Sequence, residues 1–334
     1  MQTVTSPIPR RRLARRATQP GFTLIEMMIS ITIGLGILAG LVGVLATNSS
    51  NSRTNERTAE LMTNGRYALN SMRSEVREAG FRGYTWAEPS APAPGALGLV
   101  GAANECLEGG AVQEAFVRNI RQGIWGSDNA NPFTANCIPV ASYIANTDVV
   151  VVRRLAVVPA AALAVNTVYF QSTYERGQVF RATAAPVTAP SFTGAPTPLA
   201  SFAVQIYVYY ISPFTVAANE TPLIPALYRV ALLADGTMAR ELVASGIERM
   251  QVQYGRLIVP DTRYFDSVAG TSFDAAPNSP WDDVNQVRIW LLARNATPEP
   301  GYLNTQTYQM GNQPYTVNDN FRRQLFTSVV QLRN

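Results

Sequence analysis

Histidine is absent from this chain. Its absence removes the commonest general base and the commonest zinc ligand. Lysine is absent too, so every basic residue is arginine. That excludes Schiff-base chemistry and a P-loop lysine; an all-arginine basic set fits a GC-rich genome. Without histidine no Ser/His/Asp or Cys/His catalytic set can be built. No cofactor-binding constellation is evident. Cysteine is scarce, with Cys106 and Cys137 alone, 31 residues apart. In an oxidising compartment such a pair bonds, and closing that loop is worth about 3–4 kcal/mol on the chain-entropy account. Two buried free thiols are the alternative. A basic footprint is also missing once the N-terminus is set aside. Arg10, Arg11, Arg12, Arg15 and Arg16 fall in the first 21 residues with no acid among them. Of 27 basic residues, removing these 5 leaves 22 against 23 acidic ones, a net charge of −1 and no expectation of direct nucleic-acid binding.

What the chain does have is one long apolar run. Residues 22–46 (FTLIEMMISITIGLGILAGLVGVLA) carry a single charge, Glu26. As a helix this run is long enough to cross a bilayer core. Arginines precede it and Thr47-Asn48-Ser49-Ser50 follow it. The positive-inside rule therefore keeps the N-terminus in the cytoplasm and exports the rest. An ordinary signal peptide has a shorter apolar region and is cut after it. A plain anchor gives no reason for an acid at the fifth apolar position, where a charge costs about 2.5–3.5 kcal/mol. Gly36 and Gly40 form a GxxxG pair, flanked by Gly34 and Gly43. Either they allow close helix approach, or they reflect how common glycine is in membrane helices.

Gly21-Phe22-Thr23-Leu24-Ile25-Glu26 resembles the prepilin peptidase site of type IV pilins and type II secretion pseudopilins. The resemblance implies cleavage between Gly21 and Phe22 by prepilin peptidase and methylation of the new N-terminal Phe22. It also implies a role for Glu26 in assembly, pairing with a neighbouring subunit's terminal amine. The physics agrees, because a carboxylate among packed apolar helices is costly unless a cation meets it. The expected organisation is a basic leader (1–21), a transmembrane helix (22–46), an amphipathic continuation (47–80) and a periplasmic β-rich domain (81–334).

Leu61, Gly65, Ala68, Leu69, Met72, Val76 and Ala79 recur at helical spacing, and Gly80 reads as a stop. One helix over about 22–79 is predicted, its second half packed on a soluble domain. Residues 87–98 read as a Pro/Ala loop, 100–146 as irregular surface structure around the cysteines, and 183–199 as a second Pro-rich separator. Strand signals fall at 148–158, 202–212, 227–234, around 250–254, at 287–293 and at 321–334. A long helix followed by an antiparallel sheet is α+β, the pilin architecture.

The segments 65–84 (GRYALNSMRSEVREAGFRGY), 242–255 (LVASGIERMQVQYG), 284–294 (VNQVRIWLLAR) and 322–334 (RRQLFTSVVQLRN) resemble minor pilins of the PilW type. They are also similar to J-type minor pseudopilins of type II secretion. The PilW resemblance implies a low-abundance subunit that primes pilus assembly and sits at the tip. Its implied partners are other minor pilins, the major pilin and a large adhesin-like tip protein. Removing 21 of 334 residues leaves 313, a bulk better suited to a tip than to a repeated lattice. A membrane-anchored periplasmic enzyme is the competing class, disfavoured by the missing histidine. Asp261, Asp266, Asp274, Asp282 and Asp283 crowd one turn-rich segment and are weak Ca²⁺ candidates. They lack EF-hand spacing, and solvated loop acids are the weightier reading. Trp281 and Trp290 beside them read as core or interface anchors.

Overall fold

The computed structural model describes residues 21–86, 96–99, 105–134, 137–192, 198–268 and 279–333. The arginine-rich leader, most of the 87–98 loop and Asp274 lie outside them. The chain falls into two compact units, Met1–Asn55 and Glu56–Asn334.

Helix α1 runs Leu24–Arg77. In the second unit its buried residues are Leu61, Gly65, Ala68, Met72 and Val76. That three- and four-residue spacing is the predicted stripe. Beyond Arg77 the chain turns, and Gly80 takes φ 80°, a left-handed conformation that a side chain would strain. The Gly80 N–H donates to the Arg153 carbonyl at 2.9 Å, which ties the helix end to the sheet.

Strands β1 (Ile124–Ser127), β2 (Val149–Leu155), β3 (Val168–Ser172), β4 (Gly177–Arg181), β5 (Ala200–Ser212), β6 (Ala226–Leu232) and β7 (Met238–Ser245) form a seven-stranded antiparallel sheet. The long β5 is its spine: β3 pairs its first residues, while β2 and β6 flank the rest. Strands β8 (Ile247–Ile258), β9 (Asp261–Phe265), β10 (Val284–Arg294) and β13 (Arg323–Gln331) form a second sheet in the order β13-β10-β8-β9. The hairpin β11 (Thr307–Met310) and β12 (Gln313–Thr316) stands apart. The architecture is α+β, as expected.

The stretch 100–146 departs from the irregular structure predicted for it. It holds a short helix α2 (Glu114–Arg118) and β1. Strand β1 is four residues long and pairs Ile124–Ser127 with Val149–Val152. Its stability comes from that distant partner, so its own Gly-rich composition hides it.

α1 contacts both sheets. Asn64 donates to Ser245 at 3.2 Å, and the Arg333 N–H donates to the Arg77 carbonyl at 3.0 Å. Arg154 on β2 meets Glu75 at 2.6 Å and Glu78 at 2.8 Å. Gly65 faces the ring of Phe326 on β13 so closely that a Cβ there would lie 2.1 Å from it. One main core joins α1, α2 and both sheets, with Met72, Phe116, Trp125, Tyr209, Tyr210 and Tyr254 among its buried side chains. Trp281 belongs to it, edge-on to Tyr254 at 4.7 Å. A smaller cluster of Leu292, Tyr308, Met310 and Val317 seats the β11–β12 hairpin, with Trp290 and Leu325 packed against it.

Two polar devices hold the second sheet. The buried Arg323 meets Glu248 at 2.6 and 3.1 Å and Asp319 at 2.6 and 2.7 Å. Asp148, just before β2, links the sheets. Its N–H donates to the Met250 carbonyl at 3.1 Å, and its carboxylate accepts from Val252 N–H at 2.7 Å and Asn129 N–H at 2.9 Å. In effect one side chain substitutes for a short piece of strand pairing. Burial pushes the Asp148 carboxyl up to about 7 despite these two donors, with Asp128 and Asp266 adding repulsion.

Candidate processing and assembly site

The sequence directs attention to the start of α1. Gly21 and Phe22 precede the helix, and Phe22 is 86% exposed. Thr23 is positioned as the N-cap. Its hydroxyl accepts from the Glu26 N–H at 3.3 Å, while Glu26 Oε2 accepts from the Thr23 N–H at 3.0 Å and the Thr23 hydroxyl at 2.9 Å. These reciprocal bonds are a capping box, two otherwise orphaned helix donors satisfied by each other's side chains. The carboxylate also lies in the first turn, where the helix dipole favours negative charge.

This local task for Glu26 was not read from the sequence, although Thr23-x-x-Glu26 before an apolar run is its signature. The carboxylate is thus neither bare nor idle in the single chain. Any neighbour's ammonium must compete with, or add to, the bonds from Thr23.

Downstream of the cap, the helix presents apolar side chains all round. Leu24, Ile29, Leu35, Leu41 and Leu45 are 52–79% exposed. A Cβ at Gly34, Gly36, Gly40 or Gly43 would meet nothing within 4 Å. By length and composition the helix is apolar enough to cross a membrane. In water so large an apolar surface has no stable home, and a bilayer or neighbouring apolar helices supply one.

The remaining candidates lie elsewhere. Cys106 and Cys137 are joined as a disulfide with Cα atoms 4.7 Å apart, and both are buried in the main core. The weak Ca²⁺ candidates are dispersed among other contacts. Asp266 accepts from Gln253 at 2.7 Å and Asn312 at 2.5 Å. Asp283 pairs with Arg256 at 2.5 Å. Burial raises the Asp282 carboxyl, opposed by the nearby Arg82 and Arg121 guanidinium groups. Asp261 opens β9 opposite Ile258. Among the described residues no group of three or more His, Cys, Asp or Glu is placed to hold a metal ion.

An apolar N-terminal helix with its acid in the first turn, continuing into a stripe packed on antiparallel sheets, defines a class: the chain is type IV pilin-like. Residues 16–42 match the prokaryotic N-terminal methylation motif. The likeness narrows further at the other end, where residues 208–334 match the family Type IV Pilus-assembly protein W, or PilW. That match runs from β5 through β13. Comparison with curated proteins and with solved structures gives no match. The PilW family is one of structural assembly components, which implies interaction with other pilus components in general. The apolar helix near the N-terminus suggests membrane anchoring.

Proposed function

We propose that this chain is a minor pilin of a type IV pilus, acting in the complex that primes assembly and remains at the tip, and that it catalyses no reaction. The observation that carries this reading is the pairing, in one chain, of an N-terminal methylation motif with a C-terminal PilW match. On this reading 1–21 is a leader, 22–46 spans the inner membrane, 47–80 continues the helix and 81–334 is periplasmic. Prepilin peptidase cuts between Gly21 and Phe22, and Phe22 is methylated. Glu26 then exchanges its Thr23 N–H bond for a neighbour's terminal ammonium, a contact between two full opposite charges in place of one between a carboxylate and a neutral amide. The buried disulfide fits an exported domain. Partners are other minor pilins, the major pilin and a tip adhesin.

The test is a deletion strain complemented with the full chain and with a tagged copy. Loss of surface pili on deletion, with the tag found only at filament ends, supports the tip role. Tag at regular intervals along shafts refutes it. Normal pili together with a block in protein secretion assigns the chain to a type II pseudopilus instead.

A further inference from the structure

Strand β13 closes one side of the second sheet, and among the described residues no strand pairs with its other side. The Leu332 N–H donates to the Asn285 carbonyl at 2.9 Å, and the Asn295 N–H donates to the Arg322 carbonyl at 3.1 Å. Both bonds continue the β10–β13 register, so the even-numbered residues of β13 bond towards β10. Antiparallel pairing alternates. Thr327, Val329 and Gln331 therefore aim both N–H and C=O at the open edge. Arg333, next in that series, already uses its N–H on the Arg77 carbonyl, which confirms the parity. The Leu325 carbonyl takes the Gln324 side-chain amide at 3.3 Å. Gln324, Thr327, Val329 and Gln331 are exposed, so this edge is accessible.

Proteins normally guard such edges with charges, proline, bulges or brevity. The other edges here carry those guards. β9 has Asp261 and Arg263, β7 has Arg240 and Glu241, β4 ends in Arg181, and β1 is four residues long. β13 from 324 to 331 (QLFTSVVQ) has no charge, proline or glycine. Beside it, on the face away from α1, lies a groove of about 420 Å³ floored by Trp290, Thr327 and Val329 and ended by Arg288. Val329 is 56% exposed.

We propose that the open edge of β13 takes an extended segment of another pilin-type subunit of the same pilus as an added strand. The segment bonds main chain to main chain at Thr327, Val329 and Gln331 and lays an apolar side chain over Trp290 and Val329. Main-chain pairing supplies affinity and the groove supplies specificity, the usual division in strand addition. This rests on the proposed pilin function. A second copy of the chain does not fit. Antiparallel β13–β13 pairing needs a two-fold axis normal to the sheet. The contacts of α1 at Ser245, Phe326 and Arg333 lay its 56–77 stretch along the sheets. Such an axis would set that stretch antiparallel in the two copies, whereas copies stacked head-to-tail in one filament keep it pointing the same way.

The test places a photoreactive side chain at Gln331 of the full chain, in cells making the whole pilus. The expected result is an adduct with an extended segment of a different subunit that carries its own methylated N-terminus. Thr327→Pro removes one edge donor where proline is tolerated, and Val329→Lys adds the missing guard. Each should cut the adduct about tenfold, the worth of one or two hydrogen bonds, at unchanged abundance. An adduct undiminished by both substitutions, or formed only with a second copy, overturns the proposal. No adduct in cells where Phe22 is methylated overturns it while leaving the pilin reading intact. An unprocessed Phe22 overturns the pilin reading, and this one with it.

Discussion

Gly65→Ala is the sharpest probe of how α1 is held. In an exposed helix this change gains about 1 kcal/mol, because alanine is the better helix former. Here a Cβ would lie 2.1 Å from Phe326 Cε2 and 2.6 Å from both Cδ2 and Cζ. The ring must retreat by more than 1 Å to reach ordinary contact, and overpacking of that kind costs about 1–3 kcal/mol. The clash outweighs the propensity gain, so G65A should be net destabilising by about 1 kcal/mol. Phe326 is only partly buried and can yield somewhat, which keeps the loss at the lower end. Urea unfolding of the full chain in detergent, followed by tryptophan fluorescence, measures it. The same substitution in a Phe326→Leu background should become neutral or stabilising, because the obstructing ring edge is gone. If G65A alone matches or exceeds wild type in stability, the helix is not seated on Phe326 as described.

Three further outcomes follow from other parts of the molecule. Glu26→Ala should leave insertion and folding intact but impair piliation; Glu26→Gln, which keeps the capping-box geometry and loses the charge, should be equally defective, and normal piliation in the Gln variant would assign Glu26 to capping alone. For Asp148 the folded carboxyl titrates at about 7 against an ordinary 3.8. The native state therefore holds a proton that the unfolded state has released, and this group's contribution to stability falls as pH rises from about 4 to 7 and is flat above. Linkage caps the loss at about 4 kcal/mol, and Asp148→Asn should flatten the unfolding-versus-pH curve in that window; an unchanged slope would exclude Asp148 as its source. Cys106→Ser with Cys137→Ser should cost about 3–4 kcal/mol by the loop-closure account, read as a lower urea midpoint that matches the reduced wild type.

The helical half of the fold is legible in the sequence because its signals are local. Leu61, Gly65, Ala68, Met72 and Val76 announce a buried face by spacing alone, and all five are buried. The strands at β2, β5, β6, β8, β10 and β13 show as β-branched or alternating runs for the same reason. β1, α2 and the β3–β4 hairpin do not show, since what stabilises them is a partner far away in sequence. Gly126, for example, reads as a breaker, yet it sits in β1 where a Cβ would fall 1.8 Å from the Tyr254 hydroxyl. At the candidate site, Phe22 and Glu26 stand out as residues, but the bonding between Thr23 and Glu26 went unread although its four-residue pattern was present. Asp148 could not be recognised as a link between sheets, because its acceptor role depends on Val252, 104 positions away. The acids of 261–283 are a case where closeness in sequence is not closeness in bonding. They crowd together in sequence, while Asp266 and Asp283 bond to Asn312 and Arg256.

Processing at the head of α1 precedes every later step of the proposed assembly, and the N-terminus of the protein recovered from membranes tests it most directly. Intact mass and N-terminal peptide mass spectrometry should find a chain that begins at Phe22 and carries a methyl group on its amine. A chain retaining its leader in cells with active prepilin peptidase would contradict the account. It would make the N-terminal helix a plain membrane anchor and remove the assembly role of Glu26.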